Sequence, residues 1–578
     1  MGLAAPPADE LTPDLIPAEE FAHAADESGE KWLGVEPVYR RGEFAGLAVA
    51  SGAARVTCLE GGPADAEGKL RKVYEESDLP LAGHDTKRLV HILGPNVKFD
   101  GDTMLAAYLL NPERVNYRLA DLAYEYLKLQ LPEEPAEGEL AFDDRSAEMA
   151  GARAQAVARL AEVTARLVEQ QDMGELYRDL EVPLAPVLAA LEERGVKIDR
   201  AHFSKLARSF EKHLKKAEGE LYELAGGEFN PNSPIQLREI LFDKLGLKPK
   251  RKTKTGYSTA ADVLEALAEE HPLPAKILAY RELAKLKNTY VDVLPTLADK
   301  NGRVHTTFNQ AATSTGRLSS ADPNLQNIPI RTDLGAEIRK GFIPGEGLVF
   351  LSADYAQVEL RILAHVADDP GLQAAFAAGK DIHAATASEL FDVPFDKVSR
   401  GQRTLAKAIN FGLAYKMGPR RLARETGLSV KEAEAYIEKY FTRYPGVRRF
   451  IDEQIERAHR DGYVHTVLGR RRYLPDIASE DNRARAAAER VAVNMPVQGS
   501  AADILKLAMV ALSRRLAAEE LEAWMLLTIH DELLFEASAG DAAALEEVVK
   551  EEMVGVLKLK VPLEVHVGVG ANWLEAHG

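Results

Sequence analysis

Apolar residues along the chain fall into short blocks bounded by turn residues and into longer stretches of helical spacing. Residues 44–50 and 53–59 are short apolar runs with turn residues between them, and predict strands. Residues 105–110 and 150–167 predict helices, and from 176 to 224 apolar positions recur with Lys and Glu between them, the pattern of long amphipathic helices. Leu348-Val-Phe-Leu-Ser-Ala-Asp354 predicts a strand that ends on a carboxylate and is followed by a helix-like stretch over 357–365. Residues 524–529 and 533–535, separated by His530-Asp531-Glu532, predict a hairpin with acids at its tip. Residues 1–30, with Pro6-Pro7 and Pro17-Ala18-Glu19-Glu20, show no periodicity and predict an acidic, partly extended leader. A second Pro/Glu-rich loop occupies 131–138.

At roughly 150 residues per domain, 578 residues predict about three to four domains. A hydrophobic share of 46% and a charged share of 28% exclude wholesale disorder and fibrous repeats. Cys58 is the single cysteine, which rules out an intrachain disulfide and a Cys-based metal cluster. No apolar run approaches the ~18 residues of a membrane span, so a protein that is neither membrane-bound nor secreted is expected, in the cytoplasm. The net charge of −18 argues against a polyanionic ligand unless the bases are segregated. They are partly so: residues 1–60 carry eleven acids against four bases and 121–150 nine against two, leaving the remainder closer to balance. Lys248-Pro-Lys-Arg-Lys-Thr-Lys-Thr-Gly-Tyr257 is a basic cluster too polar and broken for a core element, fit for solvated surface or for phosphate contact.

Three constellations carry chemistry. Asp354 at a strand end and Asp531-Glu532 in a hairpin would, if adjacent, repel one another unless divalent cations lay between them, and oxygen ligands suit Mg²⁺. That is the layout of a two-metal phosphoryl-transfer site. In the third, Arg403, Lys407, Phe411 and Tyr415 recur in steps of four, which turn about 400° on a helix and so form a slowly drifting stripe. Leu405 and Ile409 back it with an apolar face. Two cations on that stripe would neutralise a triphosphate while an aromatic packs on base or sugar.

These residues, in this order, resemble family A DNA polymerases of the bacterial DNA polymerase I type. Asp354-Tyr-Ala-Gln-Val-Glu-Leu-Arg361, the Arg403–Tyr415 pattern and His530-Asp531-Glu532 match three of the family's motifs. Thr315-Gly-Arg-Leu-Ser-Ser320, Asp322-Pro-Asn-Leu-Gln-Asn-Ile-Pro329, Lys380-Asp-Ile-His383 and Asn494-Met-Pro-Val-Gln-Gly499 match further ones. The resemblance runs from about Gly34 onward and is closest from about Phe229 to Leu574. It implies an α/β multidomain protein: a right-hand polymerase over 171–578, with a thumb at about 200–300, a palm at about 300–370 and 465–578, and fingers at about 371–464. An RNase H-like domain of 3′-5′ exonuclease type would occupy 31–170.

The resemblance further implies template-directed addition of dNTPs to a primer 3′-hydroxyl, with primer-template DNA as partner, two Mg²⁺ ions as cofactor and a monomeric state in the bacterial nucleoid. Asp354, Asp531 and the carbonyl of Tyr355 would hold the metals; Lys407 and an auxiliary Glu532 would complete the catalytic set. Gln357, Glu359, His383, Arg403, Lys407, Phe411 and Tyr415 would bind the dNTP, with His383 helping to neutralise its phosphates. Lys252, Lys254, Tyr257, Arg317, Gln326, Asn327, Asn494, Gln498 and His530 would contact DNA, and the basic cluster falls in the thumb. Glu359 resembles the family's gate against a ribose 2′-hydroxyl, and Phe411 stands where relatives have Phe or Tyr.

Departures matter too. An active editing domain needs Asp-x-Glu on its first strand, and the nearest fit is Gly34-Val-Glu36, without the Asp. The second motif's Asp falls near Leu89, and the third motif's Tyr and Asp have no counterpart in 146–156. Proofreading is therefore expected to be absent. No 5′ nuclease domain is recognised, and Lys416 replaces the Gly that usually follows the Tyr, either strengthening template contact or altering translocation. A non-catalytic nucleic-acid-binding protein and a single-subunit RNA polymerase are the competing readings; the acids in a polyanion cleft oppose the first, and Glu359 with the exonuclease-like domain opposes the second.

Overall fold

The computed structural model describes residues 14–18, 20–21, 31–52, 55–132, 146–249, 251–253, 256–330 and 332–578. The N-terminal part is built on a six-stranded sheet in the order Asp14–Leu15, Arg55–Glu60, Glu43–Ser51, Leu33–Arg40, Leu81–Gly83, Gly101–Asp102. The three middle strands run antiparallel, and the outer ones join in parallel. Leu33–Arg40 gives no clean alternation because its first six residues are all buried. The helix Ser146–Gln170 lies across this sheet, presenting Ala150, Ala154 and Ala158. Small residues there allow a very close approach: a Cβ on Gly34 would stand 2.1 Å from the carbonyl oxygen of Ala154 and 2.5 Å from the amide nitrogen of Ala158.

The expected leader is shorter than residues 1–30. Asp14–Leu15 pairs with Arg55–Val56, and Phe21 is fully buried with Leu33, Val35 and Leu47, so apolar side chains near its end complete the sheet's core. Residues 1–13, 19 and 22–30, and most of the loop over 131–138, lie outside the described residues.

The predicted long helical stretch is two helical segments, 176–194 and Arg200–Ala225, parted at Gly195, whose φ of +60° and crowding against the Val304 carbonyl exclude a side chain. Arg200–Ala225 packs on Pro272–Leu286 around Leu221, Leu264, Leu273 and Ile277. Between them the basic segment pairs Lys252–Thr253 with Gly256–Tyr257 as a short hairpin outside the core. The Tyr257 ring meets Phe242 edge-on at 5.3 Å and holds it shut.

The centre of the molecule is a four-stranded antiparallel sheet in the order Ala523–Ile529, Glu532–Ser538, Leu348–Tyr355, Val565–Gly570. Its predicted hairpin and carboxylate-bearing strand are present; the fourth strand, Val565–Gly570, was not anticipated although it alternates Val with small or polar residues. The 37-residue helix Asn482–Ala518 meets one strand of this sheet and the helix Val358–Val366. By length and composition it could cross a bilayer, but 78% of its apolar window is buried, as in a core helix. Five helices from Ile382–Phe391 to Pro445–Asp461 form a helical lobe, in which Arg400–Ala414 rests on Val358–Val366. One continuous apolar core runs from Leu105 to Ala576, so the sheet carrying Asp354 has a rigid foundation.

Candidate active site

The strand Leu348–Tyr355 is antiparallel to both neighbours, with Asp354 opposite Glu532 on one side and His566 on the other. The hairpin turn is His530-Asp531, with His530 at φ +57°, and it folds Asp531 over the end of the Asp354 strand. Tyr355 N–H donates to the carbonyl of Asp531 at 3.2 Å, which fixes the two acids side by side. Both carboxyls are half-buried and pushed above the usual carboxylate range. Burial is the main cause for each; for Asp354 the neighbouring Asp531 and then Glu532 add repulsion, while His530 and Arg317 pull Asp531 partly back.

Glu532 differs from expectation. It is the first residue of its strand, 2% exposed, and its Oε1 accepts hydrogen bonds from Ser352 Oγ at 2.7 Å and Trp573 Nε1 at 3.0 Å. Its Oε2 stands 3.3 Å from His577 Nδ1 and 3.7 Å from the buried Arg339. Despite burial, His577 and these donors keep it below the usual range, so it is an anionic keystone inside the protein and not an acid at the turn.

A cleft of about 280 Å³ opens beside Asp531, lined by Arg317, Gln326, Glu359, Lys506 and His530 among others. Within it Arg317 donates to Glu359 at 2.7 Å, and Gln326 Nε2 donates to the Thr528 carbonyl at 3.0 Å. Gln357, at φ +54°, makes the bend from strand to helix that brings Glu359 to this cleft. Asn327 is exposed, and Asn494 and Gln498, four residues apart on the long helix, are half-buried; the Asn494 side-chain oxygen is buried with no hydrogen-bond partner. A larger cavity of about 950 Å³ lies elsewhere, between the N-terminal sheet and residues 307–312.

The helix Arg400–Ala414 begins with a Ser399/Gln402 capping box, which fixes its start and hence the phase of its stripe. Arg403 and Lys407 are exposed, Phe411 is half-buried, and Ile409 is fully buried on the opposite side, as the spacing predicts. Tyr415 departs from the stripe: the helix ends at Ala414, and the Tyr415 hydroxyl is buried without a partner. Arg403 Nε donates to Asp381 at 2.7 Å, and Asp381 also caps the helix Ile382–Phe391. His383, in the first turn of that helix, is 2% exposed, bonds Asn410 through Nδ1 at 3.0 Å and lies 5.7 Å from the Phe411 ring. Burial first, then the charges of Lys407 and Arg403, depress it to about 4. Burial in this packing thus disfavours the charge that the expected phosphate-neutralising role needs.

Lys252 and Tyr257 are exposed on their hairpin, and Lys254 lies outside the described residues. Sequence reasoning missed Lys506, Arg339 and Trp573, all of which act through partners distant in the chain, and gave Asp381 no role of its own. Among the described residues no group of three or more His, Cys, Asp and Glu side chains is gathered to cage a metal. The Asp354–Asp531 pair nevertheless suits Mg²⁺, which is usually held by one or two carboxylates with water and substrate phosphates supplying the rest.

Residues 200–575 match DNA polymerase family A. The thermostable DNA polymerase I of Thermus aquaticus is 48% identical over 479 residues, covering 82% of this chain and 55% of the relative. DNA polymerase I of Bacillus subtilis is 43% identical over 484 residues, again 82% of this chain and 55% of the relative. The chain thus spans about half the length of the curated relatives it matches. The solved structure described as the POL domain of Pol1 from M. smegmatis in complex with DNA primer-template and dNTP has a TM-score of 0.89 at 38% identity, covering 98% of this chain and 100% of that one. With its acids, its cationic helix and its sheet all inside the matched span, this chain belongs to DNA polymerase family A.

Proposed function

We propose that the chain is a DNA-directed DNA polymerase that extends a primer 3′-hydroxyl with dNTPs, releasing pyrophosphate. The observation that carries this reading is the convergence of Asp354 and Asp531, two half-buried carboxyls held together by the Tyr355–Asp531 backbone bond. In this reading the antiparallel sheet is the palm, the lobe bearing Arg400–Ala414 the fingers, and the Arg200–Ala225 and Pro272–Leu286 pair the thumb.

Asp354, Asp531 and the Tyr355 carbonyl would hold two Mg²⁺ ions. Bound there, divalent metal supplies positive charge that lowers the pKa of the primer hydroxyl and offsets charge on the triphosphate. Arg403 and Lys407 attract the phosphates from the exposed face of their helix, and Lys407 can protonate the departing pyrophosphate. His383, uncharged, can donate a hydrogen bond without adding charge. Phe411 offers a ring for base or sugar packing, and Glu359, pinned by Arg317, closes the space that a 2′-hydroxyl would need. Arg317, Gln326 and His530 face the cleft as polar groups able to test minor-groove acceptors common to all correct pairs. Closure of the fingers helix on its Val358–Val366 support would bring the cations over the acids only around a fitting pair.

The N-terminal domain is proposed to lack proofreading. Its first-strand Asp position is Gly34, pressed against the Ala154 backbone; Glu36 is neutralised by Arg153 at 2.9 Å; and Leu89 is buried. In the cleft beside Arg88 the acids Asp85 and Asp102 are neighbours, but Asp102 is spent on the amides of Thr86, Met104 and Leu105, and among the described residues no third acid joins them to hold two metals.

Primer extension with dNTPs or rNTPs, with and without Mg²⁺, tests the reading. Mg²⁺-dependent extension by dNTPs, lost in Asp354→Ala and in Asp531→Ala, is the expected result. Binding of DNA without extension would favour the non-catalytic alternative, and efficient rNTP use an RNA polymerase. Metal-dependent trimming of a mismatched primer would overturn the absence of proofreading.

A further inference from the structure

Among the contacts of the N-terminal domain with the rest of the chain, one side chain meets a turn beside the polymerase site. Tyr108, on the helix Thr103–Leu110 and 1% exposed, donates through its hydroxyl to the carbonyl of Thr313 at 2.6 Å. Thr313 opens a tight turn: its hydroxyl donates to the carbonyl of Arg317 at 2.7 Å, and its carbonyl also faces the Gly316 amide at 3.5 Å. Arg317 in turn holds Glu359 at 2.7 Å in the cleft beside Asp531.

The other side of the turn is closed by Arg470. Gly316, at φ +85°, has no room for a side chain, since a Cβ would stand 2.6 Å from Arg470 Nε, and the Arg470 guanidinium lies 5.9 Å from the Tyr108 ring centroid. Arg470 is immobile because it is 2% exposed, bonded to Asp503 at 2.8 Å and paired with Glu181. Lys506, which lines the same cleft, donates to Glu181 at 2.8 Å. The turn bearing Arg317 is therefore gripped between Tyr108 on one side and a buried charge network on the other.

We propose that Tyr108 is a positioning residue for Arg317, and through it for Glu359, so that the N-terminal domain braces the surface that selects the sugar of the incoming nucleotide. The inference rests on the polymerase reading above. A hydroxyl that fixes the turn's first carbonyl restricts where the Arg317 backbone can lie, and a guanidinium that drifts releases the carboxylate it holds.

The test is steady-state incorporation of a dNTP and its matching rNTP by the full chain and by Tyr108→Phe, which keeps the ring and removes only the hydroxyl. One hydrogen bond of ordinary strength corresponds to about a three- to tenfold effect, so the preference for dNTP over rNTP in kcat/KM should fall about three- to tenfold. Tyr177→Phe is the control: its hydroxyl is buried against the same N-terminal domain, donates to the Asp102 carbonyl at 3.0 Å and does not meet the turn. Its dNTP preference should equal that of the unaltered chain. An unchanged preference in Tyr108→Phe, or an equal fall in both variants, overturns the brace. If Tyr108→Phe does not fold, Thr313→Val takes its place; it removes the bond to the Arg317 carbonyl and leaves the N-terminal domain whole, and an unchanged preference there is equally fatal. Failure of the unaltered chain to use dNTPs would bring down the polymerase reading itself, whereas normal dNTP use with no effect of Tyr108→Phe removes the brace alone.

Discussion

Asp354 and Asp531 lie where neither is at ease as an anion, and that discomfort has a measurable sign. The unfolded chain releases these protons near pH 4, while the folded chain keeps them to higher pH, so folding stability from this pair falls as pH rises above about 4. Asp354→Asn should therefore raise the folding stability in EDTA above pH 6 by on the order of 1 kcal/mol, read as a higher thermal midpoint, with the gain shrinking in acid. Added Mg²⁺ should raise the midpoint of the unaltered chain but not of the variant, even though the variant no longer extends primers. Glu359 is likewise pushed up by burial, with Arg317 opposing, and Glu359→Ala should increase ribonucleotide incorporation at least tenfold, roughly the discrimination one buried steric and polar contact supplies. An unchanged ratio would remove its role as the gate. Phe411 has no hydroxyl to stand in for a missing sugar 3′-hydroxyl, so dideoxynucleotides should terminate poorly and Phe411→Tyr should relieve this in a sequencing-type assay.

The helix Arg400–Ala414 shows how a secondary element carries information beyond its own residues. Just past its end, Lys416 takes φ +54°, an uncommon conformation for a side-chain-bearing residue, and its ammonium donates to Glu489 at 2.7 Å on the helix Asn482–Ala518. The ion pair gives the lysine a partner within the chain. Removing it by Lys416→Gly or Glu489→Gln should change dNTP KM by about two- to fivefold, the scale of a partly exposed pair, and the double variant should behave like either single one. Additive effects in single-turnover kinetics would refute the pairing. Local pattern made the strand ending at Asp354, the 530–532 hairpin and the Arg403–Lys407–Phe411 face legible, because periodicity and turn chemistry act within a few residues. The burial of His383 and of Glu532 and the grip of Glu489 on Lys416 were not legible, since each depends on partners brought together only by tertiary packing. Leu33–Arg40 escaped notice for a related reason: covered on both faces, it shows no alternation to read.

Across the whole molecule, the helical segment 176–194, the hairpin that ends in Arg471–Tyr473 and the helix Asn482–Ala518 are locked together by the buried charges Glu181, Arg470, Asp503 and Lys506. Burial alone would push Glu181 up, but Lys506 and Arg470 overcome it and hold it at about 2. Stability from this group is present above the ordinary carboxylate range and is lost as pH falls from about 4.5 towards 2. Glu181→Gln, which leaves Lys506 without its ion-pair partner in the interior and Arg470 with Asp503 alone, should cost about 3–5 kcal/mol by denaturant unfolding and abolish that acid dependence. A loss under about 1 kcal/mol would mean the cations find other partners. Gly34 carries a different lesson at the same scale. Because the atoms a Cβ would strike belong to the backbone of the overlying helix, no rotamer can give way. Placing an acid at position 34 would thus demand lifting a 25-residue helix off the sheet, a concerted change that a single substitution cannot reach.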